Sequence, residues 1–92
     1  MATSKIRDFG SSNYKILTAR HEETTTFHLN NVVMFIGETN NNYQLIYVSG
    51  TVVNVIAGTL DRVTISRPDN DQLVIYNPRT WNLKIPVVYI SP

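Results

Sequence analysis

The stretch Tyr43–Ala57, YQLIYVSGTVVNVIA, decides the fold. Its apolar runs, Tyr43–Val48 and Thr51–Ala57, are separated only by Ser49-Gly50. A two-residue connection containing Gly between such runs is a hairpin signal. The runs are rich in β-branched and aromatic residues, which suit a pleated, half-buried surface. In the first, Leu45 and Tyr47 alternate with Gln44 and Ile46. In the second, Val53, Val55 and Ala57 alternate with Val52, Asn54 and Ile56. Neither run has a clean polar face, so the hairpin is expected to pack on both sides.

Working outward, short runs of the same kind recur. Strands are expected near 14–19, 24–29, 32–37, 60–66, 72–76 and 81–90 in addition to the hairpin's 43–48 and 51–57. Tyr14, Ile16 and Thr18 share one face of the first; Lys15, Leu17 and Ala19 share the other. Between the runs lie a charged connection at Arg20–Glu23, Asn30-Asn31, a polar loop at Glu38–Asn42, RPDND at Arg67–Asp71 and NPRT at Asn77–Thr80. Asn tolerates the left-handed conformation that turns need, and Pro presets their second position. Trp81, Leu83, Ile85, Val87 and Tyr89 alternate with Asn82, Lys84, Pro86, Val88 and Ile90. Pro86 cannot donate to a ladder, which predicts an edge strand or a bulge there. No window carries a helical period. The pattern predicts an all-β fold, a single small β-sandwich or barrel of about eight short antiparallel strands. Residues 1–13 read as an extended N-terminal arm and 14–92 as the β domain.

Composition narrows the function. A chain of 92 residues buries only roughly 60–65% of its unfolded surface, which leaves a thin stability margin. Small domains gain stability from disulfides, metals or partners. With no Cys and only His21 and His28, the first two routes are closed or poorly supplied, and homo-oligomerisation is expected. Net charge is +1 with 16% charged residues, so the basic excess of a nucleic-acid binder is missing. Polarity comes instead from ten Asn and ten Thr, which suit extended protein contact. Met1–Asn13 lacks the apolar core of a signal peptide, and the longest apolar stretch, Val32–Ile36, is too short to span a bilayer. Synthesis in the cytosol and no membrane partner are the expectation.

Catalytic chemistry finds little support. The seven acids sit mostly in predicted loops, and His21-Glu22-Glu23 reads as a solvated connection rather than an acid/base cluster. Asp69-Asn70-Asp71 lacks the Gly and distal Glu of a calcium loop and reads as a turn. No catalytic residue, cofactor or metal is expected. Tyr43, Tyr47, Tyr76, Trp81 and Tyr89 lie on predicted strands with Arg62, Arg79 and Lys84 nearby in sequence. Such rings are core or interface residues, or else a stacking platform for glycan or single-stranded nucleic acid. Exposure of Trp81 discriminates a structural module from a ligand-binding one, because a buried Trp81 removes the platform's best residue. Ile6 and Phe9 are the sizeable apolar side chains of the arm and are candidates to anchor it on a neighbouring subunit, or else on its own domain.

In general character the chain, with MATSKIRDFG as an arm and GTVVNVIAG and QLVIYNPRTWNLKIPVVYI as strands, resembles small accessory proteins of bacteriophage particles, such as capsid decoration (cement) proteins or head-fibre bases. The resemblance implies a non-enzymatic structural protein that binds and stabilises a larger protein assembly, a viral capsid, as a homo-oligomer, typically a trimer or pentamer. It implies location in the virion after synthesis in the host cytoplasm. The residues expected to touch the partner are Ile6, Phe9, Tyr76, Arg79, Trp81 and Tyr89. The alternative is the ligand-binding β module.

Overall fold

Alternating apolar runs fold into eight strands: β1 (Tyr14–Ala19), β2 (Glu23–Phe27), β3 (Val32–Thr39), β4 (Asn42–Ser49), β5 (Val52–Thr59), β6 (Thr64–Asp69), β7 (Gln72–Asn77) and β8 (Leu83–Tyr89). The computed structural model describes residues 13–39 and 41–90. The strands form a five-stranded sheet, β1-β8-β3-β4-β5, and a three-stranded sheet, β2-β7-β6, with every pairing antiparallel. Among the described residues each sheet keeps two free edges, so the arrangement is sandwich-like and not a closed barrel. Ile6, Phe9 and the rest of the expected arm up to residue 12 lie outside the described residues.

The core is the set of inward positions of both sheets. Leu17, Ala19, Val32, Met34, Ile36, Ile46, Val48, Leu83, Ile85 and Val87 come from the larger sheet; Phe27, Leu73 and Ile75 come from the smaller one. These spacings of two are the pleat of the strands projected onto the sequence. Leu29 and Val63, in connections, seal the two ends.

Each end of the sandwich is tied by an arginine. At one end, the Arg67 guanidinium donates to the carbonyls of Gly50 (2.9 Å), Leu29 (2.8 Å), Gln72 (3.1 Å) and Asn70 (2.7 Å) and to Asn30 Oδ1 (3.1 Å). Three connections, β2–β3, β4–β5 and β6–β7, therefore meet on one side chain. Burial pulls this guanidinium below its ordinary pKa, against the opposing pull of Asp71 and then Asp69. At the other end, Arg79 grips Glu38 with both arms of its fork, Nε to Oε2 at 2.8 Å and Nη2 to Oε1 at 2.9 Å. This pair is largely buried, with side-chain exposures of 12% and 5%. The hydrogen bond to Glu38 holds Arg79 above its usual pKa, with burial opposing. Asn42 also donates to Glu38, and Arg79 Nη2 reaches the Asp61 carbonyl at 2.9 Å.

That Asp61 carbonyl accepts the Val63 N–H at 2.8 Å across Arg62, whose φ is 68°. This is a γ-turn with a non-glycine residue in a strained conformation. The Arg79–Glu38–Asn42 cluster fixes it from both sides, since Asn42 Oδ1 also accepts the Asp61 N–H at 2.7 Å. Beside the cluster, Asn77 is fully buried and satisfied: Nδ2 donates to the carbonyls of Ala19 and Trp81, both at 2.9 Å, and Oδ1 accepts the Arg79 N–H at 2.9 Å.

Several local expectations are corrected. The central hairpin turns at Gly50-Thr51, with Ser49 opposite Val52 and Gly50 at φ 59°, one residue later than the spacing indicated. Gly occupies the first central position, as a type II′ turn requires. The turn expected over RPDND is confined to Asn70-Asp71: Arg67, Pro68 and Asp69 end β6, and the ladder to β7 is broken between Ser66 and Asp69. Pro68 is accommodated there because β6 is an edge strand and the pairing is irregular. β8 is not an edge strand and has no bulge at Pro86. The strand runs between β1 and β3, and pairing with β3 stops at Met34↔Val87, one residue short of the proline that has no N–H to offer. Trp81 precedes β8 and is not part of it.

Candidate interaction surface

The five-stranded sheet turns its second face away from the core. On β1 this face carries Tyr14, Ile16 and Thr18; on β8, Lys84, Pro86 and Val88; on β3, Val33, Phe35 and Gly37; on β4, Tyr43, Leu45, Tyr47 and Ser49; on β5, Val52, Asn54, Ala57 and Thr59. The registers assemble them into rows across the sheet. One row is Tyr14, Val88, Val33, Tyr47 and Asn54. The next carries Ile16 and Pro86 on one side and Phe35, Leu45 and Ala57 on the other. Lys84 is the one charged side chain among these residues, and it donates to Thr18 Oγ1 at 3.0 Å. Tyr14, Ile16, Phe35, Val52 and Val88 are exposed large hydrophobics.

The rings lie down on this face because glycines leave room beneath them. A Cβ on Gly37 would meet the Phe35 ring, and a Cβ on Gly58 would meet the Tyr43 ring and carbonyl. Phe35 and Tyr43 stack with centroids 5.9 Å apart and planes 29° from parallel. The result is a broad, shallow aromatic and aliphatic surface.

The hairpin was expected to pack on both sides, and within this chain it does not. β4 buries Ile46 and Val48, but β5 is exposed along nearly its whole length, with Val55 at 56% and Ile56 at 54%. The opposing sheet has three strands against five, so it leaves the β5 flank uncovered. β5 bulges where Leu45 faces Ala57 and Ile46 faces Val55, leaving Ile56 as the extra residue.

The opposite broad face differs in chemistry. The outward residues of the three-stranded sheet are Thr24, Thr26, Val74, Tyr76, Thr64 and Ser66, mostly hydroxyls around one exposed ring. Charges gather instead at the two ends: Arg20, Glu22, Glu23, Glu38, Asp61, Arg62 and Arg79 at one, and Arg67, Asp69 and Asp71 at the other. Arg20–Glu23 and His21–Glu22 are exposed contacts at 3.5 Å. Among the described residues no three His, Asp or Glu side chains group as metal ligands would.

Of the described residues expected to bind a partner, only Arg79 and Trp81 come together. Tyr76 stands on the hydroxyl-rich face. Arg79 is committed to Glu38. Tyr89 packs against the core at the far end, where its N–H donates to the Asn13 carbonyl at 2.8 Å. Trp81 is 54% exposed, with the Arg79 guanidinium 6.0 Å from its ring centroid. It is therefore not a core residue. Of the residues that do form a continuous surface, Tyr14, Ile16, Phe35, Leu45, Tyr47 and Val88, only Tyr47 stood among the candidate rings read from the sequence. Their one sequence signal was the lack of polar alternation in the runs that carry them.

Compared with protein-family models, with curated proteins and with solved structures, the chain finds no match.

Proposed function

We propose that this chain is a non-enzymatic structural module that works by joining a larger protein assembly. The observation that carries the reading is the apolar outer face of the five-stranded sheet. A free monomer gains nothing from Tyr14, Ile16, Phe35 and Val88 in water, whereas burial of each large apolar side chain contributes about 1.5–3 kcal/mol. Exposed contiguous apolar surface marks protein contact. The nearly uncharged broad faces fit close packing among other proteins. A virion is the assembly proposed, as a capsid-stabilising accessory component made in the host cytoplasm. Ile6 and Phe9 are the sequence's candidates for a second contact. The test is the composition of gradient-banded, salt-washed particles from the chain's own source, read by quantitative mass spectrometry. Presence in fixed ratio to the shell protein is expected; absence from washed particles would end the virion reading.

A second reading is favoured by one observation, the exposure of Trp81 beside Arg79. It makes that end a stacking platform for a glycan or single-stranded nucleic acid. Trp81 is the sole tryptophan, so its intrinsic fluorescence reports this site alone. Saturable quenching by a thymine oligonucleotide or a soluble oligosaccharide supports this reading; an unchanged spectrum removes it.

A further inference from the structure

We propose that the outer face of the five-stranded sheet is a homodimer interface, in which a second copy of this chain packs the same face against it with the two-fold axis running along β3. The inference rests on reading that face as a protein interface, and it names the occupant.

Area comes first. Five strands spaced ~4.8 Å apart and about six residues long at ~3.3 Å each make a face of roughly 24 by 20 Å. That is on the order of 500 Å² in projection, and more in accessible surface once side chains are counted. It approaches the ~800 Å² each partner gives to a stable standard-size interface. A small peptide would leave most of it wet.

Charge comes second. A face that pairs with itself brings each of its charges near a copy of that charge. Here the face carries Lys84 alone among the described residues, and it stands off the central strand, on β8. An axis along β3 sends the two Lys84 side chains to opposite sides, so they do not meet. Each instead lies over β4 of the other copy, at the level of Tyr43, whose ring accepts a cation.

Relief comes third. β3 is central in the strand order, so an axis along it sets β8 over β4 of the second copy and β1 over β5. The large outward side chains Leu45 and Tyr47 on β4 then oppose Pro86 and Val88 on β8. Tyr14 and Ile16 on β1 oppose Asn54 and Ala57 on β5. On both flanks a bulkier pair faces a less bulky one, and Phe35 meets its own copy at the axis. This is aligned face-to-face sheet packing, in which inner side chains interdigitate across about 10 Å.

The experiment is light scattering on gel-filtered protein at micromolar concentration, for the wild type, Phe35→Glu and Tyr76→Glu. The wild type and Tyr76→Glu, which changes the opposite face, are expected at twice the chain mass. Phe35→Glu is expected at the chain mass with an unchanged circular dichroism spectrum. A wild type at the chain mass, a Phe35→Glu that remains dimeric, or a Tyr76→Glu that dissociates would overturn the proposal. The absence of cysteine provides a second measurement that does not depend on Phe35→Glu folding. Tyr47→Cys and Val88→Cys chains are mixed and treated with a short bismaleimide. Crosslinked pairs should form in the mixture well beyond either variant alone; equal yields in all three samples would contradict the axis. A monomeric chain that still bands with particles defeats the dimer and leaves the assembly reading standing. A dimer never found in particles does the reverse.

Discussion

Gly58 stands at φ 86° on the edge strand, directly under Tyr43. A methyl group there meets both the carbonyl and the ring of Tyr43, and the backbone leaves the region that L-residues favour. Gly58→Ala is therefore expected to cost about 2 kcal/mol, measured by urea denaturation. Asn77 makes a complementary case. Its Nδ2 faces two carbonyls, so Asn77→Asp keeps the shape but turns both donors into acceptors in a dry site. A loss of about 3 kcal/mol is expected, larger than for Asn77→Ala, because repulsion adds to the lost bonds. Arg67 supplies a fork to four carbonyls and an amide oxygen, which no single ammonium can reach together. Arg67→Lys should retain only a minor part of the roughly 2–3 kcal/mol that Arg67→Ala removes, again by urea midpoint. None of these roles was legible in the sequence. Arg67 sat in a stretch that read as a turn, and three of its acceptors, on Leu29, Asn30 and Gly50, lie far along the chain.

β5 poses a different problem. It is an edge strand without charge or proline, the kind that templates pairing with other chains. Its defence is the bulge at Ile56, which breaks the regular row of donors and acceptors. Deleting Ile56 would bring Val55↔Ile46 and Ala57↔Leu45 into consecutive register without flipping any neighbour. The deletion variant is expected to stay folded by circular dichroism and to aggregate faster, followed by turbidity and thioflavin fluorescence. A variant no more prone to aggregate than the wild type would show that the bulge is not protective. At this level the sequence was largely readable. The alternation of Tyr14, Ile16 and Thr18 against Lys15, Leu17 and Ala19 is the pleat itself, and Asn31 does take the left-handed turn conformation, with φ 55°. The sixth strand slipped because Leu60 and Asp61 belong to a connection closed by the Arg62 γ-turn, a constraint set by Asn42 and Arg79 rather than by local pattern.

The site was harder to read than the strands. An alternating strand has two faces, and sequence alone does not say which of them a second sheet will cover. That depends on the pairing order, which puts five strands on one side and three on the other. Choosing Tyr76, Arg79, Trp81 and Tyr89 by residue type selected side chains of which the fold brings only Arg79 and Trp81 together. The molecule that results has charge at its two ends, hydroxyls on one broad face and apolar rows on the other. For such a body association is also stabilisation, because a partner that binds only the folded state shifts the unfolding equilibrium. The melting temperature of the wild type should therefore rise with protein concentration, while that of Phe35→Glu should not; calorimetry over a wide concentration range reads the difference.

Hydroxyl-radical footprinting resolved by mass spectrometry, at high and at low protein concentration, asks most directly whether the apolar sheet face is an interface. At high concentration Tyr14, Phe35, Leu45 and Tyr47 should be protected and Tyr76 and Trp81 should react freely, with the protection lost on dilution. Equal reactivity of Phe35 and Tyr47 at both concentrations, or protection confined to Tyr76 and Trp81, would contradict the assignment of that face.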